Sequence, residues 1–271
     1  MSPQDPITRD EQRKWNEQWA HYQPELDVER PLLERWMRPL ALDEVRGLDV
    51  LDVGCGNGSH TAILALAGAR TVRGVDYASW REASERFGSM PGVSFGFHDI
   101  TASPPDGQYD LVVCVGVLPH VDDPRRGVTN LAAAVKPGGR LLIWATVREG
   151  NEVLMAFDAA KVAVTRVGGR RAKEAVARTL AFASRPAQLV ASRSDLAREV
   201  LPYGRYLAGL ASLPVSRVEQ NFYDALNAPR RVMFREHEVT GWMRDAGLDV
   251  SVRVCDDAKS RTWIGRRPTS G

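Results

Sequence analysis

Asp52, Gly54, Gly56 and Gly58 alternate along the stretch Val50-Leu51-Asp52-Val53-Gly54-Cys55-Gly56-Asn57-Gly58. An apolar run that breaks into glycines is the pattern of a buried parallel strand feeding a tight loop. With no Cβ in the way, such a backbone comes close to a ligand. The free N–H groups of the helix that follows, read over 59–69, face that ligand too. The chemistry on offer is a nucleotide-type cradle at the first strand–helix junction of an α/β sheet. Spacing separates the ligands it could take. A dinucleotide fingerprint needs G-x-G-x-x-G, and Ser59 stands where its third glycine would fall. Asp52 aims an acid at the cradle, which repels a pyrophosphate and suits a cationic or zwitterionic ligand.

Three further residues carry chemistry by their position. Asp76 lies 22 residues beyond Gly54, in Gly74-Val75-Asp76-Tyr77. An acid at that spacing sits at the tip of the second strand and can accept hydrogen bonds from both ribose hydroxyls. Its competing role is a helix N-cap. Asp99, in His98-Asp99-Ile100, ends the third strand, where aspartate also serves as an ordinary turn residue. His120 follows the fourth strand and is the best candidate for a base with a pKa near neutral; its competing role is to order the loop. His21, His60, His98 and His237 form no metal-ligand spacing, and no metal is expected.

The elements that must position these residues read as an α/β chain. Strands are expected at 49–53, 71–75, 93–97, 111–115 and 140–144, the fifth announced by the turn Lys136-Pro137-Gly138-Gly139. Helical spacing fills the intervals, as a doubly wound sheet requires. A helix over 236–246 stops at Gly247, and 248–254 with 261–265 then make a hairpin. Residues 8–45 read as helix, with Trp15, Trp19 and Tyr22 on one face. That stripe serves packing, lining of the site, or both. Residues 151–220 read as an alanine- and arginine-rich helical insertion broken near Gly168-Gly169, Pro186, Pro202 and Pro214. The expected organisation is a helical cap (1–45), a ligand-binding core (46–150), the insertion (151–225) and the rest of the core (226–271).

The pattern D-x-G-x-G-x-G over Asp52–Gly58 resembles motif I of class I S-adenosylmethionine-dependent methyltransferases. The stretch from Tyr109 to His120, with Asp110, Val112 and Leu118, is similar to members acting on small molecules, including those of quinone biosynthesis, as is the Lys136–Gly139 turn. The likeness covers about 46–146 well. It extends weakly to 221–265 through Asn221-Phe222-Tyr223-Asp224, Pro229 and the Glu238…Trp242…Gly247 helix.

The resemblance implies a Rossmann-like, mostly parallel seven-stranded sheet with an antiparallel last strand. It also implies S-adenosylmethionine as cofactor and S-adenosylhomocysteine as product. Cofactor contacts are expected at Asp52, Gly54, Gly56, Asn57, Gly58, Asp76, Tyr77, Asp99, Ile100, Val115 and Leu118. Asp99 would take the adenine amino group, and Ile100 would cover the ring. Substrate contacts are expected at Trp15, Trp19, Tyr22, Phe222 and Tyr223, with the acceptor held between the helices of 8–45 and 151–225. His120 would serve as base.

Composition narrows the classes without naming the acceptor. At 271 residues with a formal charge of +2, the chain demands neither nucleic acid nor membrane as partner. Residues 1–8 do not read as a signal peptide, and no apolar run approaches the ~18 residues of a membrane span. Three cysteines, Cys55, Cys114 and Cys255, without C-x-x-C, fit a reducing cytoplasm, where the protein is expected.

The leading reading is methyl transfer to oxygen, nitrogen or carbon of a small organic, secondary-metabolite or quinone-like acceptor. An RNA methyltransferase is the second reading, because 161–210 carries ten Lys/Arg against three acids. Aromatic interleaving there is thin, with only Phe182, Tyr203 and Tyr206. A non-catalytic S-adenosylmethionine-binding scaffold is the third, and a nicotinamide oxidoreductase comes last. A homodimer through the helices outside the sheet is left open.

Overall fold

The computed structural model describes residues 13–19, 22, 25–152, 155, 169–227 and 232–269. The apolar runs form β1 Asp49–Val53, β2 Thr71–Asp76, β3 Val93–Phe97, β4 Tyr109–Val115 and β5 Val135–Thr146, and the hairpin forms β6 Asp249–Val254 and β7 Ser260–Arg266. They build one seven-stranded sheet in the order β3-β2-β1-β4-β5-β7-β6. The first five strands run parallel, with Val53 opposite Val75 on one side and Cys114 on the other. β7 is antiparallel to β5: Gly138 N–H donates to the Arg267 carbonyl (2.9 Å), and Arg267 N–H donates to the Gly139 carbonyl (3.0 Å). Strand order reverses between β1 and β4, and ligands of such sheets bind at the carboxyl ends beside that reversal.

The described helices include α1 (13–19), α2 Leu26–Met37, α3 Ser59–Leu66, α4 Trp80–Phe87, α5 Pro124–Ala133, α6 Arg170–Arg193, α7 Asp195–Val200, α8 Gly204–Leu210, α9 Val215–Asn227 and α10 Glu236–Asp245. On one face Leu33 and Met37 of α2 and Ile63 and Leu64 of α3 bury against Val50, Val72, Leu111, Val113 and Leu142. α10 ends as expected. Gly247 takes φ +81°, its N–H donates to the Arg244 carbonyl (2.9 Å), and Leu248 N–H donates to that of Met243 (3.1 Å). This pair of bonds closes the last turn in the Schellman manner.

Three expectations need correction. The Lys136-Pro137-Gly138-Gly139 segment does not precede strand five but lies inside it, as an outward bulge between the pairs Tyr109–Val135 and Leu111–Arg140. Pro137 cannot donate to the ladder, and the carbonyl and N–H groups of the bulge serve β7 instead. Pro186 does not break the insertion, because α6 runs through it for 24 residues. Ser184 Oγ–H donates to the Ala181 carbonyl (3.2 Å) and accepts from Gln188 Nε2–H (2.8 Å), bridging the proline's turn. Packing of α6 on α8 and α9, which buries Ala177, Ala181, Gln188 and Ala191, overrides the local preference. Residues 8–45 are not one helix: α2 stops at Met37 and a short 3-10 turn, Leu42–Val45, follows. Residues 8–12, Gly168, Pro229 and the basic Lys161 and Arg166 lie outside the described residues.

The described residues divide into two compact units. One is drawn from Met1–Thr146, Val232–Arg253 and Arg261–Gly271, the other from Val147–Arg231 and Val254–Ser260. The first holds the sheet, and the second is the α6–α9 bundle with the tip of the β6–β7 hairpin. Among the described residues no helix is long and apolar enough to cross a membrane.

The amino ends of the strands are tied by charge. Asp49 accepts from Arg70 Nε (2.8 Å), Thr71 Oγ1 (2.8 Å) and Lys136 Nζ (2.9 Å), and Lys136 also reaches Asp110 Oδ2 (3.0 Å). Hydrogen bonds from Arg70, then Lys136 and Thr71, hold the Asp49 carboxyl far below the usual range. A depressed carboxylate stabilises the fold above its unfolded pKa, and that contribution is lost as pH falls toward the folded value. Arg70 is more than half exposed, so solvent screening discounts the gain. Asp49→Asn should lower stability by about 1–2 kcal/mol at pH 7 in urea denaturation. The gap from wild type should stay level down to about pH 5 and narrow below about pH 4. A gap independent of pH would contradict this assignment.

Candidate active site

The glycine loop is pinned before it turns. Gly54 and Cys55 N–H groups both donate to the Val75 carbonyl of β2 (2.7 and 3.1 Å), and Gly58 N–H closes on Cys55 (2.8 Å). Gly54, Gly56 and Gly58 adopt φ of +68°, +52° and +81°, the left-handed region that side chains disfavour. Space is short as well. A Cβ on Gly54 would fall 2.2 Å from Val117 Cγ2, and one on Gly56 would fall 2.9 Å from Trp19 Cε2. Asn57 Oδ1 accepts from Ser59 N–H (3.1 Å) at the start of α3, while its Nδ2 donates to the Tyr22 carbonyl (3.3 Å). Asn57 thus shapes the loop and ties it to the segment that follows α1.

Asp76 sits at the tip of β2, only 9% exposed. Its Oδ2 accepts from Gly56 N–H (3.1 Å), and its Oδ1 accepts from Ala78 and Ser79 N–H (2.7 and 2.9 Å). Asp76 thus ties the glycine loop to the turn before α4. A carboxylate offers about four acceptor sites, so three N–H groups leave roughly one, on Oδ2. Burial pushes the Asp76 carboxyl up, and the bonds from Ser79, Ala78 and Gly56 pull it back.

Asp52 lies one strand over, 1% exposed, and accepts from Thr61 Oγ1 of α3 (2.6 Å). Burial raises its pKa as well, opposed first by the nearby His60 and then by Thr61. This acid is held beneath the start of α3 and is not open to solvent at the loop.

Around the loop the sequence-chosen aromatics take distinct places. α1 and the residue Tyr22 cross the carboxyl edge of β1, β2 and β4. Trp15 meets the His120 ring edge-on, with centroids 5.0 Å apart. Asn16 Oδ1 accepts from Ser79 Oγ (2.9 Å), Trp19 covers Gly56, and Tyr22 binds Asn57 through its carbonyl. His120 closes the short 3-10 turn Leu118–His120 after β4.

Tyr77, half-buried, directly follows Asp76. Asp99 Oδ1 takes the N–H and the hydroxyl of Thr101 (2.8 and 2.7 Å). Ile100 is buried against α5, its Cδ1 3.1 Å from where a Cβ on Gly127 would sit. Leu118 is buried in the same direction, whereas Val115, at the end of β4, keeps partial exposure. Phe222 and Tyr223 belong to α9 in the second unit, and Tyr223 is buried there. The thiol of Cys114, pushed up to about 12 by burial, is inert packing.

Sequence reading missed a second cluster. Trp36 of α2 and Trp144 of β5 lie 4.8 Å apart at 34°, and Trp36 meets the His60 ring edge-on at 5.8 Å. His60 Nε2 is 3.6 Å from Glu29 Oε2. All four flank the carboxyl ends of β1, β4 and β5 on the α2–α3 face. Only Trp144 carried a local signal, as a large polar-tipped side chain at the carboxyl end of a strand.

The chain is similar to known proteins. The profile of the methyltransferase-domain family matches residues 19–251. The ubiquinone biosynthesis O-methyltransferase of Bordetella avium is 34% identical over 156 residues, which are 55% of this chain and 62% of that protein. The chain therefore spans about six tenths of the length of such curated relatives. Among solved structures, an O-methyltransferase family protein from Burkholderia thailandensis superposes with a TM-score of 0.54 at 18% identity, over 91% of this chain and 58% of that one. The N-methyltransferase NodS of Bradyrhizobium japonicum, solved with S-adenosylhomocysteine, superposes with 0.52 at 15% identity, over 97% and 100%. These structures share the fold. A family profile that covers most of the chain, on a sheet with this order and this loop, settles the membership: the chain belongs to the methyltransferase-domain family.

Proposed function

We propose that the chain transfers a methyl group from S-adenosylmethionine to a hydroxyl oxygen of a small organic molecule. The observation that carries this reading is the buried Asp76 carboxylate facing Gly56 N–H across the glycine loop, at the reversal point of the sheet. The residues present fit the cofactor. Asp76 keeps an acceptor site on Oδ2 for a ribose hydroxyl, and Asp99 Oδ2 is not used by Thr101 and suits an amino donor. The three glycines present no Cβ to a ligand, and Trp19 lies over Gly56. When bound, S-adenosylmethionine supplies a methyl group on a sulfonium, already activated for transfer. The chain's own task is to align the partners and keep water out, which can supply much of the acceleration. Trp15 and Trp19, lying over the loop and the post-β4 turn, suit that task. The choice of oxygen leans on the O-methyltransferase relatives.

RNA is the competing acceptor, because the second unit is basic. Six of its cations already have partners inside the unit: Arg170 with Glu174, Lys173 with Asn227, Arg178 with Glu219, Arg185 with Gln188, Arg198 with Asp195 and Arg205 with Glu199. Such pairing favours a solvated helical surface over a phosphate track.

Titration calorimetry should find binding of S-adenosylhomocysteine and none of a nicotinamide dinucleotide; the reverse result would sink the assignment. Asp76→Ala should weaken S-adenosylhomocysteine binding by ~1.5–3 kcal/mol through lost charge-assisted bonds. Retained affinity with a loss of stability above ~1 kcal/mol would assign the carboxylate to capping alone. Labelled cofactor should leave total RNA unlabelled, and any RNA binding should fall steeply with salt. Label at one defined nucleotide would overturn the small-molecule reading.

A further inference from the structure

We propose that His60, held by the buried carboxylate of Glu29, takes the proton from the acceptor's hydroxyl. Trp36 and Trp144 form the wall on which a flat conjugated ring of that acceptor lies. The proposal rests on the methyl-transfer reading above and assigns the acceptor's half of that site.

The geometry is that of a poised base. Glu29 comes from α2 and is 4% exposed, whereas the His60 side chain keeps 21% of its surface. A buried acid behind a partly exposed imidazole, 3.6 Å away, orients the ring and stabilises the imidazolium once it forms. A proton on Nε2, the nitrogen nearer Glu29, would leave the lone pair on Nδ1. Two acids flank His60, Glu29 of α2 and Asp52 of β1.

Trp36 touches both His60 and Trp144, so the imidazole and the indole wall are continuous. Trp144 is anchored at the end of β5, where its carbonyl accepts from Gly116 N–H (2.9 Å), beside the carboxyl end of β4. Its Nε1–H is buried and, among the described residues, has no acceptor. A buried donor without a partner is costly, and an oxygen on the acceptor ring would satisfy it. The class of acceptor that fits is a planar conjugated ring bearing a hydroxyl and a second oxygen. In the transfer, the O–H bond breaks and its proton passes to His60. The oxygen's electron pair forms the O–CH3 bond as the S–CH3 bond breaks and its pair returns to sulfur. His60 then releases the proton to water. His120, packed edge-on to Trp15, is the rival base.

The test uses the full chain saturated with S-adenosylhomocysteine and titrated with 4-nitrocatechol, whose absorbance reports ionisation. Wild type should bind the probe and show its ionised band below the pH at which the free probe ionises. His60→Ala and His60→Gln should lose that band and at least about tenfold in probe affinity, with S-adenosylhomocysteine affinity kept within about twofold. Glu29→Gln should move the pH midpoint of the band upward, which a purely structural role would not do. Trp144→Phe, which keeps a ring and removes the N–H, should weaken the probe alone. His60 variants that bind and ionise the probe like wild type would overturn the proposal. So would loss of the band in His120→Ala alone, or a wild-type protein that binds S-adenosylhomocysteine but not the probe. Failure of wild type to bind S-adenosylhomocysteine would instead overturn the cofactor reading on which the proposal stands.

Discussion

The Asp76 carboxylate joins the segments that leave β1 and β2 at the carboxyl edge of the sheet. It gathers N–H groups from the glycine loop and from the turn that opens α4, so two segments that leave neighbouring strands share one anion. Three bonds to backbone N–H groups are what makes a buried carboxylate tolerable. The cost is the upward push on its pKa, repeated one strand away at Asp52. Two buried acids so close to a glycine loop oppose folding near neutral pH.

The rest of the fold serves that edge. Buried parallel strands fix the positions of Gly54, Asp76 and Val115, and Val117 and Trp19 close the space that side chains on the glycines would fill. At the opposite end, the Asp49–Arg70–Lys136–Asp110 network holds the amino ends of β1, β2 and β4 together with the bulge of β5. The bulge residues that look like a turn in sequence are therefore kept for pairing with β7 and for their lysine.

What was legible in the sequence followed from local rules. β1 and β3 are continuous apolar or alternating runs bounded by turn residues, and their limits read correctly. The spacing from Gly54 to Asp76 put the acid at the right strand tip. What was not legible came from contacts across the chain. Pro186 looked like a break because its helix is held by α8 and α9, which no local pattern announces. The bonds of the Asn57 side chain to Ser59 and Tyr22 join segments that no local pattern connects. His60 looked like the start of a helix, since Glu29 and Trp36 arrive from a different helix and Trp144 from a distant strand. His120 had the better position in sequence, and the structure packs its ring on Trp15.

The most direct measurement is a crystal structure of the protein with S-adenosylhomocysteine bound. The ribose should lie at the glycine loop with a hydroxyl on Asp76 Oδ2, and the sulfur should point toward the carboxyl end of β4, on the side of Trp144 and His60. A ligand bound elsewhere, or one at the loop with its ribose beyond hydrogen-bond reach of Asp76, would contradict the account.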